Sequence, residues 1–152
     1  MTIATRLCDL GIVLPQPAAP VASYVPVVTA GGLAYVSGQL PFIDGALVTG
    51  RMGEGSTLEQ GIAAARACAL MILAQLQGAG VPLDRVERIV KLGVFVNSAP
   101  GFTDQPKVAN GASDLMVEVF GPAGRHARSA VGAILPLAAL VEVDAIVALS
   151  PA

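Results

Sequence analysis

Between Ser56 and Ala79 the apolar residues Leu58, Ile62, Ala65, Ala69, Ile72 and Leu76 return at three- and four-residue steps, which lays one apolar stripe along a helix. Ser56-Thr57-Leu58-Glu59 has capping-box spacing, with Ser56 read as N-cap and Glu59 as N3. Gly78 or Gly80 ends this helix, and Pro82 keeps it from resuming. Alternation takes over in Arg88 to Asn97, where Val90, Leu92, Val94 and Val96 fall on one strand face. Two β-rich runs, Tyr24 to Thr29 and Leu33 to Ser37, are joined by Gly31-Gly32 as in a hairpin, and Pro26 has to sit at a strand edge. Ile43 to Thr49 carries a further turn at Asp44-Gly45. A second helix is predicted from near Asp104 to Phe120, with Pro106 in its first turn, although Gly111 in its interior costs about 1 kcal/mol relative to Ala. Gly121-Pro122 closes it, and the strands Ala127 to Ala133 and Leu140 to Leu149 follow. At the other end, Thr2 to Ile12 reads as a short helix ending at Gly11, followed by a Pro/Ala arm from Pro15 to Ala22.

This order predicts a single α+β domain over residues 1–152, in which 1–22 form the N-terminal helix and arm. Both long helices are expected on one face of a mixed sheet. The other face also carries apolar residues, among them Tyr35, Phe95 and Ile146. Composition sharpens this picture: 54% of residues are hydrophobic and only 13% charged, which leaves too little polar surface for so small a domain. Self-association that buries an apolar face resolves the shortage. Nine Lys and Arg against eleven Asp and Glu give a net charge of −2, so no broad nucleic-acid footprint is expected. A membrane span is not expected either. The uncharged run from Leu10 to Ile43 is interrupted by Pro15, Pro17, Pro20, Pro26 and Pro41, and that from Ala67 to Leu83 by Gln75, Gln77, Gly78, Gly80 and Pro82. The N-terminal stretch, with an early Arg6 and no continuous apolar run, does not read as a signal peptide, and the cytoplasm is the expected compartment. Cys8 and Cys68 lie far apart and are expected to be free, buried thiols.

The chemistry-bearing residues are few. One histidine, His126, and two separated cysteines do not make a zinc site, so no metal is expected. No GxSxG accompanies His126, which reads as a surface-loop residue, and Gly50 to Gly55 matches neither phosphate-loop nor dinucleotide spacing. What remains lies in the last two strands. Arg128, Ala130 and Gly132 share one strand face, and small neighbours leave room for a ligand beside the guanidinium. Glu142 and Asp144 alternate with Val141, Val143 and Ala145 and so face away from the helices. An arginine clamps a planar carboxylate and a glutamate beside it manages a proton or a water, whereas an ordinary cross-strand ion pair between Arg128 and Glu142 is the structural alternative.

Five blocks in order give these residues a context. Tyr35-Val36-Ser37-Gly38-Gln39-Leu40-Pro41, Gly78-Ala79-Gly80 through Asp84-Arg85-Val86, Val90-Lys91-Leu92-Gly93-Val94-Phe95-Val96, Ala127-Arg128-Ser129 and Val141-Glu142-Val143-Asp144-Ala145-Ile146 together resemble the RidA (YjgF) family of reactive-intermediate deaminases. The resemblance covers roughly Tyr24 to Val147. It implies a chorismate-mutase-like (ferredoxin-like) fold, a homotrimer with clefts between subunits, and cofactor-free hydrolysis of enamines and imines to 2-keto acids and ammonia. By the same resemblance Arg128 binds the substrate carboxylate, Glu142 positions or protonates the attacking water, and Ser37 and Tyr24 line the cleft. The expected partners are therefore a small imine, enamine or 2-keto acid and further copies of this chain, with neither nucleic acid nor membrane. A non-catalytic trimer binding a small carboxylate is the alternative function. The family's older description as a ribonuclease suits the chain poorly, because aromatics are 4% and Trp is absent. Four departures mark a divergent branch: Ala130 follows A-R-S where Cys is frequent, the chain from Ser129 to Pro136 is one residue shorter, Asn97 to Lys107 is longer, and either Asn110 or Asp114 takes the place of the family's V-N-x-x-Y asparagine.

Overall fold

A computed structural model describes residues 1–17, 19 and 22–152; Ala18, Pro20 and Val21 of the expected Pro/Ala arm lie outside the described residues. A five-stranded sheet is built from β1 (Val27–Ala30), β2 (Leu33–Gln39), β5 (Val86–Asn97), β6 (Ala127–Ala133) and β7 (Val141–Leu149). Its order is β1-β2-β7-β5-β6, antiparallel except for the parallel β5–β6 pair. A separate small hairpin, β3 (Phe42–Ile43) and β4 (Ala46–Leu47), turns at Asp44-Gly45, where both residues take positive φ. Three α-helices lie among the described residues: α1 (Ile3–Asp9), α2 (Leu58–Gly78) and α3 (Gln105–Phe120).

The alternation of β7 decides which sheet face is covered. Val141, Val143, Ala145 and Val147 are buried beneath α2 and α3, while Glu142, Asp144, Ile146 and Ala148 point the other way. Ala34 and Val36 of β2 and Leu92, Val94 and Val96 of β5 join the covered face, so one continuous core extends from Leu7 to Leu149. The opposite face is bare. Val28, Tyr35 and Val131 there are 50%, 44% and 46% exposed, which leaves an apolar face of the sheet open to solvent. Between α2 and α3, Gly111 is the contact point: a Cβ at this position would run into the backbone carbonyl of Ile62, so the glycine lets the two helices meet backbone to backbone. α1 leans on the end of α3, where Arg6 Nε donates to Glu118 O at 2.8 Å.

Several expectations shift. The capping box on α2 sits one residue later, with Thr57 as N-cap and Gln60 at N3, each side chain bonded to the other's backbone N–H. Ser56 and Glu59 have the same spacing, but the chain enters its first turn at Leu58. α2 is long and apolar enough to cross a membrane by length and composition; two thirds of its apolar window (67%) is buried in this fold. Val90 does not join Leu92, Val94 and Val96, because the β5–β7 register shifts between Ile89 and Lys91 and Ile89 takes the core position instead. Cys8 is exposed rather than buried, since it lies on the outer side of α1, while Cys68 is buried and donates to Val141 O at 3.6 Å. Of Tyr24 to Thr29, only the residues from Val27 onward pair as a strand.

Candidate active site

Arg128 stands on edge strand β6, in register with Leu92, and its side chain therefore emerges on the helix-covered face. There it meets α3. Its Nη1 donates to Asn110 Oδ1 at 2.8 Å and to Ser113 Oγ at 3.1 Å. Asn110 and Ser113 are one helical turn apart on α3, so a single face of that helix presents both acceptors. Nη1 is the one guanidinium nitrogen with a protein partner among the described residues, and Nε and Nη2 remain as the two-pronged edge that matches a carboxylate. Of the two α3 candidates, Asn110 contacts the arginine. Asp114 lines the same cleft of about 580 Å3 as Arg128, together with Ser113, Val117, Glu118, Arg125 and His126.

Glu142 lies on the bare face, opposite Phe95 of β5. Burial, and then the charge of Asp144, push its carboxyl above the ordinary glutamate value. Asp144 is itself fixed: its Oδ1 accepts from the backbone N–H of Gly93 at 3.0 Å, a close approach that a side chain at residue 93 would block. Gly38, where the β2–β7 register slips, lies over Glu142 in the same way, and any Cβ there would collide with the carboxylate. The Ser37-Gly38 pair of the sequence thus has a physical reason. Beside it, Ser37 Oγ donates to Val25 O at 2.9 Å and Ser37 N to Pro26 O at 2.9 Å, which pins the chain following Tyr24 to β2. Tyr24 itself is exposed.

Ser37, Gly38 and Glu142 therefore come together, and Arg128 does not join them. The expected pairing of Arg128 with a glutamate beside it fails within one copy of the chain, because the two side chains leave opposite faces of the sheet. The ion pairs among the described residues are Arg51–Glu54, Arg66–Glu118 and Lys107–Asp104, so the structural alternative of an Arg128–Glu142 bridge fails as well. Ser113 and His126 are the residues that sequence reasoning missed. Expected as a surface-loop residue, His126 is half-buried, its Nε2 lies 2.9 Å from Ser113 Oγ and its Nδ1 2.6 Å from Gly124 O. Burial, and beyond it the Arg128 charge, lower its pKa despite the opposing bond to Gly124. No group of three His, Cys, Asp or Glu residues suited to a metal occurs among the described residues. A larger, mostly apolar groove of about 740 Å3 runs along α2 beside residues 13–16 and the β3–β4 hairpin, but its one cation, Arg66, is held by Glu118 at 3.1 Å.

A mixed sheet covered on one side, with an arginine at its edge and a glutamate of raised proton affinity on its bare side, defines a small α+β protein. Comparison with known proteins places it more closely. The family described as "YjgF/chorismate mutase-like, putative endoribonuclease" matches residues 4–149, and the chain belongs to this family. It is 56% identical over 151 residues to Protein TCP17 of Trypanosoma cruzi, covering 97% of this chain and 94% of that one. The crystal structure of Atu1372 from Agrobacterium tumefaciens is 46% identical with a TM-score of 0.89, over 97% of this chain and 92% of that one. A Shewanella oneidensis structure is 36% identical with a TM-score of 0.93, over 98% and 100%. The five sequence blocks thus identified the family correctly.

Proposed function

We propose that the protein is a deaminase that hydrolyses enamines and imines of small 2-keto acids, in clefts formed between copies of a homotrimer. The observation that carries this reading is the division of the site: a carboxylate fork at Arg128 on one face, and a glutamate of raised proton affinity at Glu142 on the other. A second copy whose β6 edge meets the bare face of the first supplies the missing half. The exposed apolar residues Val28, Tyr35 and Val131 favour such an encounter, as do Ile134 and Leu137 in the β6–β7 connection.

The chemistry asks little of the protein. Arg128 holds the substrate carboxylate and so fixes the imine carbon, which is already electrophilic. Glu142 takes a proton from the attacking water as the carbon–oxygen bond forms and gives it to the nitrogen, and it then takes the hydroxyl proton of the resulting carbinolamine and passes it to the departing nitrogen as the carbonyl forms. The carbon–nitrogen bond then breaks, ammonia leaves, and the 2-keto acid remains. Ser37 and Tyr24 border the Glu142 half of the cleft. The test is ammonia release from 2-imino acids generated enzymatically from amino acids. Release well above the spontaneous rate supports the reading. Tight 2-keto acid binding without release supports the alternative, a carboxylate-binding trimer, for which Arg128 alone suffices.

A further inference from the structure

Arg128, Ser113, His126 and Gly124 form a hydrogen-bonded line whose direction is fixed at both ends. A carbonyl only accepts, so the 2.6 Å contact to Gly124 O places the imidazole proton on Nδ1. In the neutral ring Nε2 is then an acceptor, and Ser113 donates its hydroxyl proton to it over 2.9 Å. The serine oxygen is left with lone pairs, one of which receives Arg128 Nη1 at 3.1 Å. Every proton in the line points from the arginine toward Gly124. From this geometry we infer that Ser113 and His126 are positioning residues for Arg128, and that carboxylate capture is tighter when His126 is neutral. The inference rests on the deaminase reading for its substrate, but the line itself is a property of the chain.

Protonation weakens the line for a simple reason. An Nε2–H would aim at the same serine oxygen that already accepts from Arg128, the hydroxyl proton would lose its acceptor, and two cations would face each other across one atom. The remaining charged groups near the ring are Arg125, next to it in sequence, and Asp114 and Glu118 of α3, which line the same cleft; Glu118 is paired with Arg66. Arg88 of β5 donates to Arg125 O at 3.0 Å and closes the far side. The lowered proton affinity of His126 agrees with this arrangement. Above its pKa Nη1 is anchored twice, and as pH falls through that value the Ser113 anchor weakens under the repulsion of the two cations while Asn110 remains.

Because the chain has one histidine, 15N NMR of the whole protein reads this ring alone. The expected result is an Nδ1-protonated neutral tautomer whose titration midpoint lies below about 6.5, with the Arg128 guanidinium signals moving at the same midpoint. Ser113→Ala uncouples the two titrations and Ser113→Thr, which keeps the hydroxyl, restores the coupling. Affinity for 2-oxobutanoate, measured in a Glu142→Gln background to remove that carboxyl's own titration, is expected to fall about two- to tenfold on protonation. In His126→Phe it should already be weak by that factor and independent of pH. An Nε2-protonated tautomer, or arginine signals that ignore the histidine, overturns the inference. So does a His126→Phe variant with wild-type affinity and pH profile. If the wild type binds no 2-oxobutanoate, the deaminase reading is what fails, and the tautomer and the coupled titration still decide the positioning role.

Discussion

Glu142 is half-buried, pairs with no cation among the described residues, and faces a second carboxylate, an environment that raises its proton affinity and destabilises its ionised form. The sign follows directly. The folded chain holds this proton more tightly than the unfolded one, so Glu142 lowers stability above its raised pKa, and that penalty shrinks as pH falls through it and is gone below the ordinary glutamate value. Glu142→Gln should therefore keep or raise the Tm at pH 7, with the difference shrinking on acidification, while imine hydrolysis drops by about 10²- to 10⁴-fold. Thermal denaturation and ammonia release on the same samples check this, and wild-type turnover in the variant would exclude the proposed proton carrier. Arg128→Lys retains the charge but not the planar fork. A loss of about tenfold or more in 2-keto acid affinity is expected by calorimetry, with little change in Tm.

At the scale of elements, the α2–α3 contact shows why a glycine in a helix is not always a weakness. Sequence alone charges Gly111 with the ordinary propensity penalty, yet Ala there would drive its methyl into the Ile62 carbonyl carbon and oxygen, which belong to backbone and cannot rotate away. Gly111→Ala is expected to destabilise by about 1–3 kcal/mol despite the better helix former, lowering Tm by about 2–12 °C in a chain of this size. A stabilised variant would mean that the helices separate more easily than their packing implies. The same scale explains what could be read in advance. Strict alternation in Val141–Leu149 fixed the facing of Glu142, because a period of two leaves no freedom once one face is buried. The facing of Val90 was lost to a bulge, which no alternation announces. Ser113 and His126 went unread because their meeting depends on where α3 crosses the β6 edge. The one available signal was the Asn110/Ser113 spacing on a helix already suspected of lining the site.

At the scale of the molecule, the chain presents one finished face and one unfinished one. An apolar sheet face with Tyr35 and Val131 open to water has a standing hydrophobic reason to find another surface. Light scattering across a gel-filtration peak should give about three times the 15.3 kDa chain mass. A monodisperse monomer at micromolar concentration would remove the proposed cleft. The family was legible from short blocks, two of which hold glycines that a carboxylate overlies, Gly38 at Glu142 and Gly93 at Asp144. The opposed facing of Arg128 and Glu142 was not legible, since a linear pattern orders residues within one strand but does not say in what register neighbouring strands pair.

The opposed faces of Arg128 and Glu142 have one more consequence, which concerns mixtures. A site that drew both residues from one chain would be dead in either single variant and would stay dead when the two were combined. With Arg128 from one copy and Glu142 from its neighbour, an inactive Arg128→Ala chain and an inactive Glu142→Gln chain can repair each other. In a cyclic trimer containing both, one junction joins an intact arginine to an intact glutamate, so random reassembly of equal amounts should restore roughly one quarter of wild-type turnover. Two dead proteins unfolded and refolded together would then deaminate, and the same two refolded apart would not.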